Sequence, residues 1–140
     1  MRLVMPDTAE RFFVPAPESV RRARVFAVRT LADWGREGRA DDVRLCVSEL
    51  ATNAVEHGTG CCHGFSVTMA AEDGAVRVEV HNHSHCRPRL RHPTDDDVSG
   101  RGLGIVDMLS DEWGVEERGM VGKVVWSRFK TDPADQRTSW

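Results

Sequence analysis

The chain has 140 residues, with 19 Lys and Arg against 22 Asp and Glu and a net charge of −3. That length gives one domain with room for a real core, and the acidic balance excludes bulk electrostatic binding of nucleic acid or an anionic membrane. No apolar run approaches the ~20 residues that span a bilayer, the N-terminus has no signal-peptide core, and four cysteines are few for a disulfide scaffold, so a cytoplasmic protein is expected.

In chain order, residues 1–10 read as a flexible N-terminus, and residues 11–15 (RFFVP) as a short edge strand ended by proline. Pro17, Glu18 and Ser19 open a helix, with proline and an acid in the first turn where both are tolerated. Val20, Ala23, Ala27, Leu31 and Trp34 form its apolar face, and Gly35 and Gly38 end it. The next stretch, DDVRLCVSELATNAVEHG (41–58), predicts a second helix capped by Asp41 or Asp42 and stopped by Gly58. Its core seam is Val43, Val47, Leu50 and Ala54. Beside that seam run Glu49, Asn53 and His57, four residues apart. Polar groups bordering a core cost free energy unless something pairs with them, so either the protein or a ligand must satisfy this stripe.

From Phe65 the apolar period changes from about 3.6 to 2. Phe65, Val67 and Met69 alternate with Ser66 and Thr68. Val76, Val78 and Val80 alternate with Arg77 and Glu79, and Asp73-Gly74 between the runs signals a hairpin. Asn82 shares the inward parity of the three valines, whereas His81, His83 and His85 take the outward one. Residues 84–101, with two prolines and three consecutive aspartates, have no period and read as a lid. Gly100-Arg101-Gly102-Leu103-Gly104 then leads into a short helix, and residues 113–117 and 123–129 read as closing strands. Trp113 and Trp126 are expected to pack within these. Residues 131–140 read as a flexible tail. The order β-α-α-β-β-lid-α-β-β predicts an α+β fold: a two-layer α/β sandwich, its mixed and mostly antiparallel sheet covered by helices on one face.

A glycine-rich turn entering a helix presents backbone N–H groups to an anion. Combined with Glu49-x-x-x-Asn53 and the inward Asn82, it resembles the Bergerat ATP-binding fold of the GHKL superfamily of gyrase, heat-shock chaperones, histidine kinases and mismatch-repair ATPases. The match spans Arg11 to Phe129, and a domain over residues 11–130 is expected. ELATNAVEHG followed by SGRGLGIVDMLSDEWGV is most similar to the anti-sigma-factor serine/threonine kinases. The resemblance implies Glu49 as the base that takes a hydroxyl proton and Asn53 as the ligand of Mg²⁺. It places His57, Asn82, Ser84, Gly100, Arg101, Gly102, Leu103 and Gly104 around ATP. It further implies protein partners, a sigma factor or its antagonist protein, and a possible homodimer, with no direct contact to nucleic acid or membrane.

Four positions depart from the family pattern. Asn82, Ser84 and Cys86 stand where the adenine motif has an aspartate and two glycines. Val124 stands where many relatives carry a base-contacting threonine. Loss of the aspartate charge weakens a bond to the exocyclic amine by ~1 kcal/mol. Two alternatives to the kinase therefore stay open: a module that sequesters a regulator with little nucleotide binding, and a Mg-dependent ATPase in which Glu49 activates water. A separate reading places Cys61, Cys62 and His63 across strand ends from His83, His85 and Cys86, a candidate zinc cluster whose spacing matches no standard signature.

Overall fold

Asp73 and Gly74 turn the chain as their dipeptide predicts. Gly74 adopts φ 76°, a left-handed conformation that glycine takes without steric cost, and Glu72 pairs with Ala75 across the turn. The computed structural model describes residues 8–57, 62–84, 103–117 and 122–131. Its elements are β1 (Thr8–Phe13), α1 (Pro17–Trp34), a 3₁₀ turn (Glu37–Arg39), α2 (Ala40–His57), β2 (Cys62–Glu72), β3 (Ala75–Ser84), α3 (103–109), β4 (Glu112–Glu117) and β5 (Gly122–Lys130). The strands lie in the order β1-β2-β3-β5-β4. Among the described residues every neighbouring pair of strands is antiparallel, where a mixed and mostly antiparallel sheet was expected.

Parity decides the core. Phe65, Val67 and Met69 of β2 oppose Asn82, Val80 and Val78 of β3, so all six share one face. That face packs against Ala23, Ala27 and Leu31 of α1 and Val43, Val47, Leu50 and Ala54 of α2, all buried. Phe13 continues the row at the edge, stacked on Phe65 at 5.3 Å and edge-on to Phe26 at 6.1 Å. The other face carries Arg77, Glu79 and His81. Glu79 accepts from Arg77 Nε and pairs with His81 Nε2, both at 2.9 Å. Burial opposes its ionisation, but these two partners outweigh that and hold its carboxyl below the usual range. Trp126 lies on this face too, beneath the Arg77 guanidinium at 4.4 Å and across Gly114, where a Cβ would come within 2.7 Å of the indole. Trp113 packs against the core and donates to Asp107 Oδ1 at 2.7 Å.

Some boundaries differ from the sequence reading. β1 starts at Thr8 and ends at Phe13, leaving Val14 and Pro15 outside it. α1 ends at Trp34 with Gly35 left-handed at φ 70°, and Gly38 belongs to the 3₁₀ turn. That turn carries the chain into α2 at Ala40, so Asp41 and Asp42 lie in the first turn and do not precede it. There they complement the helix dipole.

Two arginines of this connection tie the pole together. Arg36 Nη1 donates to the carbonyls of Glu72 and Ala75 and to Thr131 Oγ1. Arg39 donates to Asp42, to Asp111 at 3.0 Å, to the Lys130 carbonyl and, at 2.7 Å, to the Leu109 carbonyl that closes α3. Its guanidinium also lies 5.4 Å from the Phe129 ring centre. The Asp111 carboxyl is held below the ordinary aspartate value, first by the Lys130 backbone N–H and then by Arg39.

Replacing Arg39 with Leu leaves the Asp111 carboxylate and the Leu109 carbonyl without this donor. We expect a loss of about 2–4 kcal/mol in denaturant titration at pH 7. A loss below about 0.5 kcal/mol, the size of an ordinary surface substitution, would show that this network does not hold the pole. The sign with pH follows from the lowered carboxyl. Its contribution is complete above the unfolded value near 3.9 and disappears as pH falls through the folded one. Arg39→Leu should therefore show a shallower stability decline below about pH 4 than the parent. A second substitution moves the other way. Among the described residues Ser127 Oγ, buried between Val78 and Trp113, has no hydrogen-bond partner, and Ser127→Ala should raise the melting temperature.

Candidate functional site

Connectivity brings the polar residues of α2 and β3 to one end of the domain. α2 starts beside Arg39 and, over 18 residues or about 27 Å, carries the chain to the opposite pole. β2 begins there, and its first residue, Cys62, pairs with Ser84, the last of β3. β5 begins at the same pole, with Gly122 opposite His83 and Lys123 opposite Asn82. α3 ends at the Arg39 pole, so its first residues, Leu103 and Gly104, lie away from it.

Glu49 and Asn53 both lie on α2, half-buried and one turn apart, which puts their Cβ atoms about 5–6 Å from each other. The same turn of α2 holds Cys46, wholly buried. Burial pushes its thiol up to about 12, with Asp42 and Glu49 adding to the effect against Arg39. At neutral pH this sulfur stays protonated and is neither a nucleophile nor a metal ligand. Asn82 is half-buried on the helix-covered face, where its parity predicts it. His57 is the last residue of α2 and Ser84 the last of β3. Leu103 packs against the core cluster while Gly104 is exposed on α3. Gly100, Arg101 and Gly102, most of the lid and the aspartates 95–97 lie outside the described residues.

The zinc reading is only partly within the described chain. Cys61, His85 and Cys86 fall outside it. Cys62 opposes Ser84 and not His85, because the β2 register shifts between Cys62 and Phe65. Among the described residues no group of three or more His, Cys, Asp or Glu could hold a metal.

Register also corrects the position given to Val124. It pairs with His81, and it is 2% exposed on the face away from Asn82. Lys123, exposed, holds the place opposite Asn82 on the helix-covered face. The bulge at Gly64 is a further feature that sequence reasoning passed over. Gly64 adopts φ 119°, and an added Cβ would lie 2.5 Å from the Phe13 carbonyl oxygen and against the Phe12 ring. An isolated glycine within a strand pattern signals such a close approach.

A separate groove of about 970 Å³ runs between β1 and α1, away from these residues. Phe12, Val14 and Val25 are exposed along it, together with Arg11, Arg21 and Arg22. Among the described residues these three arginines have no recorded ion pair. No helix among the described residues is long and apolar enough to cross a membrane.

Residues 13–129 match the sequence model of the histidine kinase-like ATPase domain. No curated protein matches the chain. Among solved structures it is similar to the RsbU and RsbW domains of Rv1364c from Mycobacterium tuberculosis, with 21% identity and a TM-score of 0.67 over 89% of this chain. That likeness is one of fold. This chain spans about a third (32%) of that longer one.

Because the Gly64 bulge sets which β2 residue faces Ser84 at the end of β3, Gly64→Ala should disturb both the fold and that end of the hairpin. It combines a strained φ with a backbone clash, and we expect a loss of about 2–4 kcal/mol. Chemical denaturation of the variant measures it, and a cost below about 0.5 kcal/mol would contradict the tight bulge.

Proposed function

We propose that this chain, which belongs to the histidine kinase-like ATPase domain family, is an ATP-binding regulatory protein that phosphorylates a serine or threonine of a protein partner. One observation carries the reading. α2 sets a carboxylate, Glu49, and a neutral oxygen donor, Asn53, one turn apart, and the sheet brings Asn82 to the pole toward which α2 runs.

Each residue has a role suited to its chemistry. The Asn53 carboxamide oxygen is a hard ligand of the kind Mg²⁺ takes, and bound Mg²⁺ would neutralise charge on the phosphates. Glu49, displaced by one turn, stands clear of that ligand position and can accept the proton of a substrate hydroxyl as it attacks. Asn82 offers a carbonyl acceptor to the exocyclic amine of the base. Gly100, Arg101, Gly102, Leu103 and Gly104 would offer backbone N–H groups to the triphosphate, with His57 and Ser84 at the adjoining element ends. Positioning and charge neutralisation supply most of the catalysis in phosphoryl transfer, so this small set suffices.

The partner we assign is a sigma factor or its antagonist protein, docked through an acidic and partly apolar surface in the β1–α1 groove. The three arginines supply the complementary charge, and Phe12, Val14 and Val25 the apolar contact. One observation favours a second reading, sequestration of the partner without transfer: Asn82 replaces a charged acceptor with a neutral one.

Incubation with γ-labelled ATP and the partner separates the readings. Label on the partner supports the kinase, free phosphate supports an ATPase in which Glu49 activates water, and neither supports sequestration. For the kinase, Glu49→Ala should lower transfer by at least about 100-fold. Nucleotide affinity should stay within about threefold, since the base acts on the acceptor hydroxyl. Persistent transfer would remove Glu49 from the mechanism. Asn53→Ala should abolish the Mg²⁺ dependence of ATP binding, and an unchanged dependence would exclude it as the metal ligand.

A further inference from the structure

We propose that Lys123 is a second base-reading residue, and that Lys123 and Asn82 together recognise the Watson–Crick edge of adenine. This rests on the nucleotide-binding reading above and adds the residue that sets base specificity.

The pairing of β3 with β5 carries the inference. Asn82 opposes Lys123, and His81 opposes Val124. Directly opposed residues of an antiparallel pair share a face, with Cβ atoms about 4.5–5.5 Å apart. Asn82 lies on the face of Val76, Val78 and Val80, which the helices cover, so Lys123 stands beside it on that face. Lys123 is exposed and is the second residue of β5, at the pole where β3 ends. Its flexible four-carbon stem lets the ammonium reach a ligand held against Asn82.

The chemistry of the pair is complementary to adenine. That base presents an amine donor at C6 beside an acceptor at N1. The Asn82 carbonyl accepts from the amine, and the Lys123 ammonium, with three donors and no acceptor, donates to N1. The second bond is charge-assisted and supplies at N1 a strong contact in place of the one weakened at the amine. Guanine presents an oxygen at C6 and an N–H at N1, which a carboxamide and an ammonium can also satisfy, so the distinguishing contact of the pair is the one to adenine N1.

Calorimetric titration with Mg-ATP and Mg-1-deaza-ATP, whose N1 is replaced by C–H, tests the pair in the wild type and in Lys123→Met. The wild type should bind ATP about tenfold or more tighter than 1-deaza-ATP, the range of one charge-assisted hydrogen bond. Lys123→Met should weaken ATP about tenfold while leaving 1-deaza-ATP unchanged. An equal loss for both ligands would mean that the lysine acts through general attraction to phosphate or through the fold, and would overturn the proposal. No loss for ATP would overturn it as well. If the wild type binds neither, the nucleotide reading itself falls and takes this inference with it. ATP binding that ignores Lys123 defeats the inference alone.

Discussion

Arg39 is the side chain on which the arrangement of the layers depends. It comes from a 3₁₀ turn of three residues, yet it bonds to α2, to the end of α3, to the start of β4 and to the end of β5. Two of its acceptors are main-chain carbonyls at element ends, where intrahelical or ladder partners run out. A planar fork of five donors can satisfy such a scattered set in one placement, which a lysine point charge could not. Arg36 does the same for the β2–β3 turn and Thr131. The pole is closed by side chains of this protein.

The opposite pole is composed differently. There α2 ends, β2 and β5 begin and β3 ends, and the residues brought together include Asn82, Ser84 and Lys123. Glu49 and Asn53 approach it along α2. A carboxylate, two carboxamides and an ammonium offer both donors and acceptors, which a mixed polar ligand requires. Closing one pole internally lets the other carry polar residues at little cost to the core, because Val43, Val47 and Leu50 already anchor α2. The domain separates the half that is fixed from the half that can bind.

Much of this was legible in the residues, for local reasons. Asp73-Gly74 names its own turn, and the switch from helical to alternating period places the helices and strands. The stripe Glu49-Asn53-His57 follows from helical spacing alone. Contacts distant in sequence were not legible. Arg39 and Asp111 are 72 residues apart and look like ordinary surface charges in the chain. The cap read at Asp41 or Asp42 gave way to a 3₁₀ turn because the chain could tighten before Ala40, a choice that propensity does not distinguish. Nor does spacing reveal that Gly64 absorbs an extra residue in β2, which depends on the Phe12 ring lying across it.

The position of Val124 shows why a strand beginning at glycine defeats reading by motif. Alternation determines which residues share a face only after register is known, and a slip of one residue exchanges the faces. In β5 the stretch Lys123-Val124-Val125 offers two adjacent valines, so hydrophobicity does not say which one points inward. Pairing with β3 does. Val125 opposes Val80 in the core face, Val124 falls to the side of His81, and Lys123 must then stand beside Asn82. A motif correspondence that selects Val124 makes this end of the sheet apolar beside Asn82, whereas the pairing puts a lysine there. The electrostatics there follow from the pairing between β3 and β5, and the identity of the aligned residue alone does not determine them.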